Sequence, residues 1–316
     1  MNGPQISWLP DGKRLHMNHG PIDLVVEAFG APEEVGAAYR QAANRFHTIL
    51  DELVAELREL RRPSGEKRRS FAGSTARRME EAACHFADVF ITPMAAVAGS
   101  VADEMLAALT EGRQLGRAYV NDGGDIAIHL ALGTSMKAAI AGTGHGFADR
   151  LEIGAGSPVR GIATSGWRGR SFSLGIADAV TVLAKDGATA DVAATLIANA
   201  VDLPGHPAVR RERACDLAPD SDLGERLVTT DVAPLGDAEI AEALDRGLAV
   251  AESYRKRGLI EAAALFLGGD VRVSGEFPSR KLAPLRARGG RPKASPHQTI
   301  HGATSCLNSR SAAFPS

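Results

Sequence analysis

The stretch Arg117-Ala118-Tyr119-Val120-Asn121-Asp122-Gly123-Gly124-Asp125-Ile126-Ala127-Ile128-His129-Leu130 decides the fold class. Two strand-like runs flank Asn-Asp-Gly-Gly, and Asn, Asp and Gly are the residues that a tight turn between strands requires. The reading is a strand over 117–121, a turn, and a strand over 125–132. The rhythm continues downstream. Strands are expected at 136–141, 148–153, 158–164 and 176–184, punctuated by Gly133, Gly142, Gly144, Gly146, Gly154 and Gly156. Short strands in series with tight turns favour an antiparallel sheet over a βαβ crossover pattern.

Upstream the period is mostly helical. Asp11-Gly12 signals a hairpin within residues 5–30, and Ile22 to Phe29 reads as a strand. Pro32-Glu33-Glu34 then opens a helix, with proline in the first turn and acids at the positive dipole end. Its apolar residues recur at helical spacing from Val35 through Phe46 to Leu60, and Pro63 ends it. Further helices are expected from Ser74 to Phe90, from Pro93 to Glu111, at 189–201 and from Asp237 to Arg257. Ile260 to Val273 reads as two strands turning at Gly268-Gly269-Asp270. The expected class is α+β, mainly antiparallel sheets with packed helices, as a single domain over residues 1–278. No acidic residue follows Glu276, and residues 279–316 hold Arg280, Lys281, Arg286, Arg288, Arg291, Lys293 and Arg310 among Pro, Gly, Ser and Ala. Few apolar groups offset the ordering entropy there, so a disordered basic tail is expected.

With 316 residues, 44% of them hydrophobic, the chain has ample material for a core. A formal net charge of −2 argues against a nucleic-acid or membrane-surface design, and 5% aromatics against base-stacking platforms. Cys84, Cys215 and Cys306 stand far apart, so neither a zinc cluster nor a disulfide framework is supported. No apolar run is long enough for a membrane span, and no apolar leader core opens the chain; a cytoplasmic location is the expectation. The basic run holding Arg61, Arg62, Lys67, Arg68 and Arg69 reads either as a solvated loop or as a contact for phosphate or an acidic partner.

Several polar signatures carry candidate chemistry. Asn121-Asp122-Gly123-Gly124-Asp125 is a hairpin turn whose glycine amides also suit a phosphate or a flavin ring edge, with Asp125 placed to orient a ligand hydroxyl or amide. Thr164-Ser165-Gly166, followed by Trp167-Arg168-Gly169-Arg170-Ser171, is either a polar loop or an anion cradle of hydroxyls, amides and guanidinium groups. Asp191 and Thr195 are four apart on an expected helix and share a face. They suit a hard cation such as Mg²⁺, or form a helix start with Thr189 as cap. Gly142-Thr143-Gly144-His145-Gly146 lacks the ending of a P-loop and does not open a helix, so His145 is a weak acid–base candidate. Asp103 reads as an exposed helical residue. Neither His-Glu-x-x-His nor Gly-x-Ser-x-Gly occurs.

In order, these segments resemble the ApbE superfamily of FAD:protein FMN transferases, and more closely an uncharacterised ApbE-like family found in bacteria and archaea. The resemblance spans roughly residues 5–275 and rests on six pieces. They are Asp11-Gly12 through His19-Gly20-Pro21-Ile22-Asp23-Leu24, then Ala98 to Asp103, then Tyr119 to Ile126. Gly161 to Gly166, Ser173 to Val182, and Ala190-Asp191 with Thr195 complete them. The resemblance implies an ApbE-like α+β fold related to the tunnelling-fold class. It implies a flavin nucleotide, FAD or FMN, lined by Asn121, Gly123, Gly124, Asp125, Thr164, Ser165 and Gly166, and Mg²⁺ at Asp191 and Thr195. Two departures stand out. The transferases carry a His-x-x-Asp-Pro-x-Thr-Gly element after the Thr-Ser-Gly loop, whereas Phe172 to Asp178 here runs straight into the next strand. They also carry a lysine where this chain has Ala98-Gly99-Ser100.

The expected function is therefore binding of a flavin nucleotide or similar phosphate-bearing small molecule, ahead of group transfer. The alternatives are FMN transfer from FAD to protein, an enzyme acting on a small metabolite through Asp178, His145 or Arg170, and a non-catalytic partner subunit using the basic loop 61–69.

Overall fold

The computed structural model describes residues 3–139 and 150–277. The readings at residues 140–149, His145 among them, and the tail 279–316 lie outside the described residues. β1 (Gln5–Trp8), β2 (Leu15–His19) and β3 (Ile22–Gly30) lead into α1 (Pro32–Leu60), α2 (Ser74–Cys84) and, after a 3₁₀ turn at Pro93–Ala96, α3 (Val97–Thr110). β4 (Leu115–Asp122) and β5 (Asp125–Leu130) are the opening hairpin of the sequence reading. β6 (Ser135–Ala139) and β7 (Arg150–Gly154) follow, then β8 (Gly161–Ser165), β9 (Ala179–Ala184) and α4 (Gly187–Ala200). The chain continues through β10 (Val209–Arg213), α5 (Ala214–Leu217), β11 (Leu227–Val232), α6 (Asp237–Lys256), β12 (Ala262–Leu267) and β13 (Asp270–Ser274).

Nine strands form one sheet in the order β1-β2-β3-β4-β5-β8-β9-β12-β13, every neighbour antiparallel. The pairs β6–β7 and β10–β11 stand apart as two-stranded sheets. Alternation along each strand separates two cores. Leu24, Val26 and Ala28 of β3, Ala118 and Val120 of β4, and Val180 and Val182 of β9 join the core formed with the helices. Ile128, Leu130, Ile162, Ala179, Leu183 and Phe266 point the other way and pack with Met136, Leu151 and Ile153 of the β6–β7 pair. β9 and β12 are buried along their whole length, as central strands covered on both faces should be.

The helices follow from spacing and end chemistry. In α1, Ala38, Ala42, Phe46, Ile49 and Leu53 form one buried stripe, with Pro32, Glu33 and Glu34 at the start and Arg58 in the last turn. Burying a large side chain such as Phe46 contributes roughly 1.5–3 kcal/mol. Several boundaries moved. α2 ends at Cys84 rather than Phe90, and the strand expected from residue 176 begins at Ala179. α4 begins at Gly187 because Asp186, not Thr189, is its cap: the Thr189 amide donates to Asp186 Oδ1 at 2.7 Å. The β10–β11 hairpin had no counterpart in the reading. Its first strand, Val-Arg-Arg-Glu-Arg, has no apolar alternation to announce it.

Of the basic loop before α2, Arg69 alone turns inward onto a buried acid, while Arg62 and Arg68 pair on the surface. Arg69 pairs with the buried Glu80 at 2.7 Å, Arg68 with Glu81 at 2.8 Å, and Arg62 with Glu59 at 2.7 Å. No helix among the described residues is long and apolar enough to cross a membrane.

Candidate functional site

The β4–β5 turn is a two-residue loop. Asp122 pairs with Asp125, leaving Gly123 (φ 63°) and Gly124 (φ 122°) between them. Positive φ at both central positions is what such a loop demands of glycine. The Gly124 amide donates to Asn121 Oδ1 at 2.8 Å, which fixes the Asn121 side chain.

Strand alternation then sends neighbouring residues to opposite faces. Asn121 faces a cleft of about 990 Å³ between the sheet and the β6–β7 pair. Tyr119, Ile126, Ile128, Ile162 and Thr164 share its floor, Met136 and Ala138 line it from β6, and Gly123 and Gly124 close one end. Its polar lining includes Arg14, Arg117, Lys137, Glu27 and Glu152. Arg117 stacks its guanidinium 4.1 Å from the Phe29 ring centroid and donates to Ser135 O at 3.2 Å. The Tyr119 hydroxyl is pushed up to about 12 by burial and by Glu27, against the pull of Arg14. Thr164 and Thr181 hydroxyls meet at 2.9 Å on the same face.

The acidic members of the motifs do not line this cleft. Asp122, Asp125 and Asp191 gather at the end of the sheet on the helical side, where α3 and α4 begin. Asp125 Oδ1 accepts the Thr164 amide at 3.2 Å, and Asp122 Oδ1 accepts the Asp23 amide at 3.4 Å. Burial raises Asp122 to about 7, with the Asp23 carboxylate adding to it while the Asp23 amide and Arg170 oppose. Asp125 is raised to about 7, first by burial and then by Asp122, against the Thr164 amide and Arg170. Asp191 is raised well above the ordinary carboxylate value by burial and by the charge of Asp125. Three carboxylates thus share a poorly hydrated place with too little positive charge.

Two of the helical acids have structural work as well. Gly99 of α3 and Gly187 of α4 are in backbone contact: a Cβ on Gly99 would stand 2.2 Å from the Gly187 carbonyl oxygen. Across this contact Asp191 Oδ2 accepts the Gly99 amide at 3.0 Å. Asp103 accepts the Gly187 and Ala188 amides at 2.9 and 2.8 Å. Each helix therefore satisfies amides in the first turn of the other. Asp103 is not the exposed residue its sequence position suggested; burial raises it to about 6.

Of the residues named from sequence, Asn121, Gly123, Gly124 and Thr164 meet in the cleft. Asp125 joins them through the Thr164 amide from the other side of the sheet, and Asp191 through its charge coupling to Asp125. Thr195 lies one turn beyond Asp191 and is half-buried. Gly166 packs on the backbone, since a Cβ there would stand 2.6 Å from Asp178 O. Ser165 ends β8 beside Val180. Asp178 has both oxygens engaged, one with Arg168 at 2.7 Å and one with the Gly268 amide at 2.8 Å. Sequence reasoning missed Phe29, Arg117, Lys137 and Glu152. The first two carry a legible signal, a bulky or charged residue alternating with the buried Ala28 and Ala118.

Among the described residues no three His, Cys, Asp or Glu side chains are arranged to hold a metal ion by themselves. The donor chemistry nonetheless fits a hard cation such as Mg²⁺: Asp191 and Thr195, four apart on α4, offer hard oxygens beside the raised carboxyl of Asp125.

The sequence profile of the family described as AbpE bacteria matches residues 6–273. A UPF0280 protein of Methanothrix thermoacetophila is 38% identical over 124 residues, covering 37% of this chain and 50% of that one. Another, from Methanothermobacter thermautotrophicus, is 38% identical over 123 residues, 36% of this chain and 44% of that one. A third, from Methanopyrus kandleri, is 32% identical over 206 residues, 64% of this chain and 66% of that one. The chain spans about half the length of the first two curated relatives and 66% of the third. Among solved structures, the apo flavinyl transferase ApbE of Pseudomonas stutzeri superposes with a TM-score of 0.44 at 12% identity, over 87% of this chain and 96% of that one. A mutant flavin transferase ApbE from Vibrio cholerae gives 0.37 at 15% identity, over 83% and 96%. The resemblance drawn from the ordered motifs agrees with the profile match, and the chain belongs to the AbpE bacteria family.

Proposed function

We propose that the protein binds a flavin nucleotide, FAD or FMN, or a similar phosphate-bearing ligand, in the cleft between the sheet and the β6–β7 pair. The convergence of Asn121, Gly123, Gly124 and Thr164 on one cleft carries this reading. The floor of Tyr119, Ile126, Ile128 and Ile162 suits a planar ring system, and the glycine end suits a close approach of phosphate. Mg²⁺ would be held by Asp191 and Thr195 and would supply neutralisation of phosphate charge. Asp125 then acts from this chain's side, its carboxylate steadying the Thr164 amide at the cleft floor.

Binding is favoured over transfer by the segment before β9. Its residues are occupied with packing: a Cβ on Gly175 would stand 2.1 Å from Ala198 O, and Asp178 is spent on Arg168 and the Gly268 amide. The test is a titration of the purified protein with FMN and FAD, with and without MgCl₂, read by flavin fluorescence and calorimetry. Saturable binding is expected, tightened by Mg²⁺ in wild type and not in Asp191→Asn. Absence of heat and of quenching at roughly 1 mM ligand overturns it.

A further inference from the structure

The loop after β8 presents two guanidinium groups with different fates. Arg168 is consumed locally: its Nε donates to Asp178 Oδ1 at 2.7 Å, and its guanidinium stacks 4.7 Å from the Trp167 ring centroid. Arg170 is exposed, yet it folds back across the loop onto the β4–β5 turn. Its Nη2 stands 1.8 Å from where a Cβ on Gly123 would be, so the guanidinium rests on the bare backbone of Gly123. Gly123 is also part of the cleft lining. Only glycine leaves this space, and the cation fills it.

The base of the loop is firmly held. The Trp167 amide donates to Ala177 O at 3.0 Å and the Gly169 amide to Gly166 O at 3.0 Å. Gly166 sits against the carbonyls of Ala177 and Asp178 at a distance no side chain would allow. The stem ahead of Arg170 is thus fixed, and the Arg170 guanidinium lies against Gly123 at the glycine end of the cleft. Asp122 and Asp125 lie on the far side of the same turn and feel its charge.

We propose that Arg170 is the residue that selects a phosphorylated ligand, its planar guanidinium pairing with the phosphate that enters the Gly123–Gly124 end of the cleft. This rests on the reading of the cleft as a flavin nucleotide site. A guanidinium fork matches phosphate oxygens two at a time, which a lysine at the same place does not reproduce.

The experiment compares FMN with riboflavin, which share the ring and differ by the phosphate, on wild type, Arg170→Gln and Arg170→Lys, with a thermal melt of each protein as the folding control. Wild type is expected to bind FMN more tightly than riboflavin. Arg170→Gln should lose about 10- to 100-fold in FMN affinity, the range for a charge-assisted hydrogen bond, while riboflavin affinity stays unchanged. Arg170→Lys should fall between them and serves as the readout if the glutamine variant melts early. Equal affinities of wild type for FMN and riboflavin, or undiminished FMN binding by both variants, overturn the role of Arg170 and leave the cleft reading standing. Failure of wild type to bind either compound overturns the cleft reading and this inference with it.

Discussion

Asp125 joins the two faces of the sheet. It accepts the Thr164 amide at the floor of the cleft and shares its other surroundings with Asp122 and Asp191 on the helical side. Burial and Asp122 raise its carboxyl from 3.8 to about 7. The folded protein thus holds this proton more tightly than the unfolded chain does. The associated stability is fully present below about pH 3.8 and is lost as the pH rises through about 7. Asp125→Asn keeps an oxygen for the Thr164 amide and removes the titration. Thermal melts between about pH 4 and 7 should show this variant gaining on wild type as the pH rises. A constant difference across the window would count against a raised Asp125.

At the scale of elements, the decisive contact is the crossing of α3 and α4. The two helices approach so closely at Gly99 and Gly187 that backbone touches backbone. That approach lets Asp191 reach the first turn of α3 and Asp103 the first turn of α4. Gly99→Ala would place a methyl 2.2 Å from the Gly187 oxygen, so the helices must separate. Overpacking of this kind costs about 1–3 kcal/mol, and the Gly99–Asp191 hydrogen bond is strained in addition. For a chain of this size, melting falls by roughly 2–4 °C per kcal/mol, and a denaturation scan reads it directly. An unchanged midpoint would mean that the crossing is not tight. Gly99 is thus the place where one helix admits the backbone of another.

Over the whole molecule the nine-stranded sheet is a partition. One face is buried under helices, and among the described residues the other is covered by β6–β7 only in part, which leaves the cleft. A ligand seated there should slow hydrogen exchange in the β4–β5 turn, β6 and β8, and leave the separate β10–β11 hairpin unchanged. FMN with Mg²⁺ at about 100 times its Kd should add roughly 2.7 kcal/mol of stability. Protection confined to β10–β11 would place the ligand elsewhere. The periods of the strands and helices, the glycine turn at 123–124 and the ordered motifs were all legible in the sequence, because each depends on neighbours along the chain. The same local rules could not announce β10, whose charged residues are strand only by virtue of pairing with β11. Nor could they say whether Asp191 is a ligand for a cation, a helix-capping acid or both. That depends on an amide 92 positions away, and Asp103 likewise answers to amides 84 and 85 positions away. What the sequence by itself determined was most of the elements, β10 and β11 excepted, and the family. Only the tertiary structure divided the motif residues between a cleft on one face and an acidic cluster on the other, because alternation in a strand sends adjacent side chains apart and only the stacking of layers decides what each one meets.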